Sequence, residues 1–377
     1  MKSFLVIILL SVAVIFTISG CGSSTSTTAT YDVAGTVSWE AFDNAVLSGV
    51  VVTLEGSTQT TTTDANGQYT FSDVEDGTHT ISFYLMGWTF YPTSESITVS
   101  GAALTQNATA ELTDWDVVDV GVSSNLKSVH VSNTSSDTYV MAVGGESGTF
   151  VYNLGEGDGW VDVSYGSEVD GVAPTSQTYF SVRFGANSAI RVGEGATGVL
   201  WEYGTSNKTW SEIGEMQPFL DVDTTSEYLL NLENLLSDTA IDDEDDDSTF
   251  NPGFDITLGF AGASHEVYVV GEDGNFTSSN DRGVTWTTAI SLSPQEDLND
   301  AAVMTYSGDG GTKTYTSDLW VVGAEGGIWQ SADAGVNWTH LVEGIPVTLE
   351  AVSCAGDEIS TAQTYIAGSS GLVLSHK

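Results

Sequence analysis

A short unit recurs five times in the second half of this chain, and that recurrence constrains the fold more than any other feature. The copies are Tyr139-Val140-Met141-Ala142-Val143-Gly144 to Tyr152, Ala189-Ile190-Arg191-Val192-Gly193 to Tyr203, Val267-Tyr268-Val269-Val270-Gly271 to Ser278, Leu319-Trp320-Val321-Val322-Gly323 to Ser331, and Tyr365-Ile366-Ala367-Gly368 to Ser375. They lie roughly 45–50 residues apart, with one longer gap. Each is an apolar run, a glycine turn and a second run. An apolar strand precedes the unit, most clearly at Leu126–Val131 and Leu349–Cys354, and a Trp-led strand follows the first four, at Trp160, Trp210, Trp286 and Trp338. Four short antiparallel strands per repeat predict the blades of a propeller.

The fifth copy has no fourth strand before Lys377, while Trp115-Asp116-Val117-Val118-Asp119-Val120 precedes the first copy without a partner. The economical expectation is that this N-terminal strand completes the last of five blades, which also hides exposed sheet edges.

Upstream, from Tyr31 to about Thr113, strand-like runs alternate with turn signals. In Thr63-Asp64-Ala65-Asn66-Gly67-Gln68-Tyr69-Thr70-Phe71, the Asp64 and Asn66 side chains suit a turn, Gly67 suits a positive φ, and Tyr69 and Phe71 share a face. The predicted class is all-β: a small β-sandwich followed by a β-propeller.

The first residues set the address. Met1-Lys2-Ser3 precede an apolar run from Phe4 to Phe16, the layout of a secretory signal over 1–20 and too short for a stable membrane span. Ile18-Ser19-Gly20-Cys21 resembles the bacterial lipobox. The resemblance implies cleavage before Cys21 and lipid on its sulfur, and Gly22 in place of aspartate implies the outer membrane or cell surface. Residues 21–30, rich in Ser and Thr, read as a flexible tether. With Cys21 lipidated, Cys354 is left without a disulfide partner, and its apolar strand marks it as a core residue.

Two motifs suggest families. Thr63 to Phe71 and Gly87-Trp88-Thr89-Phe90-Tyr91-Pro92 resemble the carboxypeptidase regulatory-like domain over 31–113, a transthyretin-like module whose implied role is spacing or adhesion. Ser279-Asn280-Asp281-Arg282-Gly283-Val284-Thr285-Trp286 and Ser331-Ala332-Asp333-Ala334-Gly335-Val336-Asn337-Trp338 resemble the Asp-box of BNR repeats, S-x-D-x-G-x-x-W. The implied roles of Ser279, Asp281, Gly283 and Trp286, and of Ser331, Asp333, Gly335 and Trp338, are structural. Residues 114–377 then form the propeller, with an acidic insertion over 214–253 in which Thr224 to Leu236 has helical spacing.

Asp-boxes occur in sialidases, whose implied chemistry needs three arginines on the substrate carboxylate. This chain has only Arg183, Arg191 and Arg282, with Arg282 inside a turn, and lacks the F/Y-R-I-P motif, so a sialidase is not expected. Val322 to the Ser331 turn is also similar to photosystem II assembly-factor propellers, but those commonly have seven blades and carry a basic patch. Gly193-Glu194-Gly195-Ala196-Thr197-Gly198 joins two strands and opens no helix, so it reads as a hairpin and not as a nucleotide loop. The five histidines are scattered, which leaves zinc chemistry unsupported.

Charge narrows the partners. Eight basic against 51 acidic residues give −43, which repels nucleic acid and anionic lipid. Asp242, Asp243, Glu244, Asp245, Asp246 and Asp247 are candidate calcium ligands, but without the spaced order of a defined loop, which favours a solvated run. No other cofactor is expected. The predicted function is a non-catalytic surface lipoprotein whose propeller is a binding or assembly scaffold for a protein or glycan. The alternative is a secreted glycan-active hydrolase with a carboxylate pair in the propeller centre.

Overall fold

The computed structural model describes residues 28–57, 59–133, 139–155, 159–165, 178–184, 189–194, 199–204, 206, 209–215, 255–261, 264–279, 285–307, 315–355 and 363–377. Among these residues the regular elements are strands and three short 3-10 turns.

The N-terminal part holds ten strands: β1 (Thr30–Trp39), β2 (Ala45–Val46), β3 (Val51–Glu55), β4 (Gln59–Thr62), β5 (Gln68–Glu75), β6 (Gly77–Tyr84), β7 (Trp88–Tyr91), β8 (Ser94–Val99), β9 (Leu104–Thr105) and β10 (Ala108–Leu112). They make one six-stranded sheet around β1 and a four-stranded sheet of order β4-β3-β6-β8. Along β1 every second residue from Val33 to Trp39 is buried, as a strand with one covered face requires. Buried rings from the two sheets meet: Phe83 of β6 lies 5.9 Å from Tyr69 of β5 and 6.1 Å from Phe90 of β7. The turn into β5 is held by Asp64, whose Oδ1 accepts the N–H groups of Asn66 (2.8 Å) and Gln68 (2.9 Å). Those backbone bonds, that from Gln68 foremost, keep its carboxyl below the usual carboxylate range. Gly67 has φ +67°, and a β-carbon there would stand 2.7 Å from the Val37 carbonyl oxygen.

Two residues after β10, β11 (Trp115–Val117) begins the second part. Four sheets of consecutive strands follow: β12 (Leu126–Asn133), β13 (Tyr139–Gly145), β14 (Phe150–Asn153) and β15 (Val161–Asp162); β16 (Tyr179–Phe184), β17 (Ala189–Glu194), β18 (Val199–Gly204) and β19 (Thr209–Glu215); β20 (Asp255–Ala261), β21 (Ser264–Val270), β22 (Asn275–Ser279) and β23 (Ile290–Ser291); and β24 (Leu298–Ser307), β25 (Tyr315–Gly323), β26 (Ile328–Ser331) and β27 (Thr339–Val342). The fifth four-stranded sheet takes β28 (Leu349–Ala355), β29 (Gln363–Gly368) and β30 (Val373–His376) from the chain end and β11 from before the first repeat. β11 pairs antiparallel to β30 with Trp115 opposite His376 and Val117 opposite Leu374. Lys377 secures the join: its N–H reaches the Asp114 carbonyl (2.9 Å) and its ammonium reaches the carbonyls of Leu112 (3.1 Å) and Thr113 (3.0 Å).

In the four described inner hairpins a glycine closes the turn the same way. The N–H groups of Gly145, Gly271, Gly323 and Gly368 donate to the carbonyl four residues on, at 2.9, 3.0, 3.1 and 2.9 Å. First strands of successive sheets lie side by side, in the order β16, β12, β28, β24, β20. Polar bonds stitch neighbours: Val131 N–H to Ser353 Oγ (3.1 Å), Val352 N–H to Asp300 Oδ2 (2.7 Å) and Asn299 Nδ2 to the Leu349 carbonyl (2.7 Å).

The two parts share one apolar cluster, running from Leu85 and Trp88 to Val342, Ile345 and Trp115. Trp88 Nε1 donates to the Glu343 carbonyl at 2.8 Å, and a β-carbon on Gly87 would stand 2.6 Å from the Leu341 carbonyl oxygen. The sequence reading of a spacer module carried no expectation of this close contact.

Candidate functional site

The turn from Ser331 to Trp338 shows what its residue types do. Ser331 Oγ donates to Asp333 Oδ1 (2.9 Å) and accepts the Gly335 N–H (2.9 Å). Asp333 Oδ1 accepts the Asn337 N–H (2.7 Å), and its other oxygen accepts Asn337 Nδ2 (2.6 Å). The Asn337 backbone bond is the main reason this carboxyl sits below its ordinary range. Ala334 and Gly335 follow at φ +58° and +84°, and a β-carbon on Gly335 would press within 2.6 Å of the Phe276 ring. Trp338 folds back, its Nε1 donating to the Gly335 carbonyl (3.0 Å) and its ring meeting Phe276 edge-on at 4.8 Å. This turn therefore seats β24–β27 on β22 of the preceding sheet.

The companion turn is described at its ends only: Ser279 and Trp286 are placed, whereas Asp281, Arg282 and Gly283 lie outside the described residues. Ser279 is buried at the end of β22. Beyond the turn, Thr287 is bonded back to β22: its N–H donates to the Ser278 carbonyl (2.8 Å), and its Oγ1 accepts the Ser278 N–H (3.0 Å). Trp286 itself lines a cleft of about 350 Å³ together with Tyr268, Ser278, Ser279, Thr285, Thr287 and Ala334. The cleft thus runs from one turn of the repeat to Ala334 in the next. Its described lining residues present aromatic surface and hydroxyls, with no carboxylate and no cation among them.

The buried carboxylate among the described residues is Glu296, which the sequence reading did not single out. It lies between β23 and β24 and reaches the β25–β26 hairpin, where Oε2 accepts the Glu325 N–H (2.9 Å) and Oε1 the Gly327 N–H (2.8 Å). Burial, helped by the negative neighbours Glu325 and Asp297, pushes its carboxyl up to about 7 against those two N–H bonds. The signal was present in the sequence: Gly327 stands where the other placed hairpins carry Thr149, Asn275 and Leu372.

Other candidates separate. Cys354 lies on β28 against the core, and burial with Asp318 and Asp300 nearby pushes its thiol up, away from the thiolate a nucleophile needs. Gly193 pairs with Leu200 across β17 and β18, so the glycine run starting there joins antiparallel strands; residues 195–198 lie outside the described residues. Arg183 and Arg191 sit opposite each other on β16 and β17. Burial lowers the protonation of both His340 and His376, and each packs against a tryptophan. Cys21, the signal and tether residues through 27, and Asp242, Asp243, Glu244, Asp245, Asp246 and Asp247 lie outside the described residues, as does the expected helix of the 214–253 insertion. Among the described residues, no group of three His, Cys, Asp or Glu could hold a metal, and no helix is long and apolar enough to cross a membrane.

Residues 32–113 match the carboxypeptidase regulatory-like domain. Comparison with curated proteins finds no match. Among solved structures, the chain is similar to YCF48 from Cyanidioschyzon merolae, at TM-score 0.29 and 11% identity over 70% of this chain and 98% of that one. It is also similar to the WD40 beta propeller domain of Doa1, at TM-score 0.38 and 10% identity over 70% of this chain and 95% of that one. A Niastella koreensis GH74 enzyme gives TM-score 0.35 and 12% identity over 89% of this chain, which spans 44% of that enzyme.

Proposed function

We propose that this chain is a non-catalytic, lipid-anchored surface protein whose second part is a five-bladed propeller of BNR type serving as a binding scaffold. The observation that carries the reading is the division of roles among polar groups. Glu296 spends both carboxylate oxygens on backbone N–H groups, while the described residues that line the cleft beside Trp286 offer aromatic surface and hydroxyls. Glycoside hydrolysis needs two carboxylates flanking one bond, and hydroxyls beside a ring suit holding a ligand. The five four-stranded sheets and the β11–β30 pairing support the blade count.

Anchoring rests on Ile18-Ser19-Gly20-Cys21 and the Ser/Thr-rich run after it, with the first part as a β-sandwich between membrane and propeller. The outer membrane is the proposed location. Growth with labelled palmitate should mark the wild-type chain and leave Cys21→Ser unmarked; equal labelling removes the anchor. A glycan array and affinity capture from envelope extract, each with the full chain in detergent, test the scaffold. A retained ligand is expected, and no ligand from either source contradicts the role.

A further inference from the structure

We propose that the cleft between Trp286 and Ala334 binds the uncharged sugar rings of a neutral polysaccharide, an inference that rests on the binding reading above and gives it a ligand class. The first support is the difference between two tryptophans at equivalent repeat positions. Trp338 is consumed by packing, with its ring on Phe276 at 4.8 Å and its Nε1 on the Gly335 carbonyl at 3.0 Å. Trp286 is half-buried and lines open space instead. A flat ring at the side of a cleft gives the C–H face of a pyranose a large dispersion and apolar contact.

Hydroxyls supply the second support. Thr287 Oγ1 accepts the Ser278 N–H at 3.0 Å and lies 3.3 Å from both Ser278 Oγ and Thr277 Oγ1, so the pair is held in place from the β22 backbone. A hydroxyl carries one donor and two acceptor positions, so Thr287 Oγ1 is filled by its three partners while Ser278 Oγ keeps acceptor capacity for the hydroxyls of a sugar ring. Size and charge select further. About 350 Å³ is at the small end of ligand pockets, and Ala334 meets the cleft with only a methyl group. Among the described residues no lining side chain is positively charged, and the chain carries −43, so uronic or sulfated sugars would enter against the field of the whole chain.

Affinity electrophoresis of the full chain in detergent tests this, with gels containing β-glucan, α-glucan or mannan and, in parallel, polygalacturonate or alginate. At least one neutral polymer should retard the wild type, and the acidic polymers should not. Trp286→Ala should weaken the retarding interaction about tenfold or more. Ala334→Asn keeps the left-handed backbone accessible while narrowing the cleft, and should weaken it without touching the indole. Should Trp286→Ala melt early, Ala334→Asn and Trp286→Phe decide. No retardation by any neutral polymer overturns the proposal, and so does equal retardation by an acidic one. Unchanged affinity in folded Trp286→Ala and Ala334→Asn overturns this site and leaves the scaffold role standing, whereas capture of proteins alone gives the scaffold a different ligand class and also overturns the sugar site.

Discussion

Glu296 and Gly327 are a matched pair: a β-carbon on residue 327 would lie 2.1 Å from Glu296 Oε1, so the carboxylate fits only because 327 is glycine. The same two repeat positions are filled differently elsewhere. Ser124 and Thr149 meet there as a hydroxyl pair at 2.5 Å, and Val347 and Leu372 belong to one apolar cluster. Strand register supports the equivalence, because Leu126, Leu298 and Leu349 pair with Gly145, Gly323 and Gly368, the glycines whose N–H groups close their hairpins.

Gly327→Ala should therefore destabilise the chain by about 1–3 kcal/mol, the usual range for overpacking, since the new methyl also meets the Trp329 ring at 2.3 Å. The double change Glu296→Ser with Gly327→Thr copies the Ser124–Thr149 pair and should recover part of that loss. Chemical denaturation of the wild type, Gly327→Ala, Glu296→Ser, Gly327→Thr and the double change measures the loss and the coupling.

The pH response has a definite sign. Burial raises the Glu296 carboxyl from 4.5 to about 7, so the folded state holds a proton that the unfolded state releases. This contribution is fully present below about 4.5 and is lost as pH rises through about 7, by up to roughly 3 kcal/mol. Stability of the wild type relative to Glu296→Gln should fall across that window and stay level above it. A flat difference would show that Glu296 stays charged throughout.

Trp115 joins the closing strand to the rest of the fold, with its ring 4.9 Å from His376 and 5.5 Å from Trp320. Trp115→Ala should cost about 3–5 kcal/mol. Trp115→Phe should cost distinctly less, because it also removes a buried indole N–H that has no hydrogen-bond partner. Thermal unfolding of both variants checks the order.

Asp333 works through backbone N–H groups, so its loss should be felt locally. Asp333→Ala should lower the melting temperature by about 2–4 °C, and hydrogen exchange should quicken first at Asn337, whose amide it holds at 2.7 Å.

Much of this fold is legible in sequence because its signals are local. Tyr69 and Phe71 point inward by period two, and Asp64 with Gly67 spells a turn whose bonds form within four residues. The Val-Gly step marks the hairpins at Gly271 and Gly323 because the glycine N–H closes them. The unpaired Trp115 strand is readable by counting strands, since the fifth copy is short by one. What escapes is contact between distant segments. Trp88 meets Glu343 across 255 residues with no pattern to announce it. Trp286 and Trp338 share one motif and yet differ in use, because packing between sheets puts the Trp338 ring on Phe276 and leaves Trp286 at the cleft. In one copy the strand expected to start at its tryptophan begins later: β23 starts at Ile290, four residues past Trp286.

The central claim is that the second part of the chain holds a ligand without cutting it. The most direct test incubates the full chain with the neutral polysaccharide that retards it, then measures bound polymer and newly formed reducing ends in the same sample. The account predicts bound polymer that falls with Trp286→Ala and no new reducing ends over buffer. Reducing ends that accumulate with time, and vanish on changing one carboxylate, would contradict it.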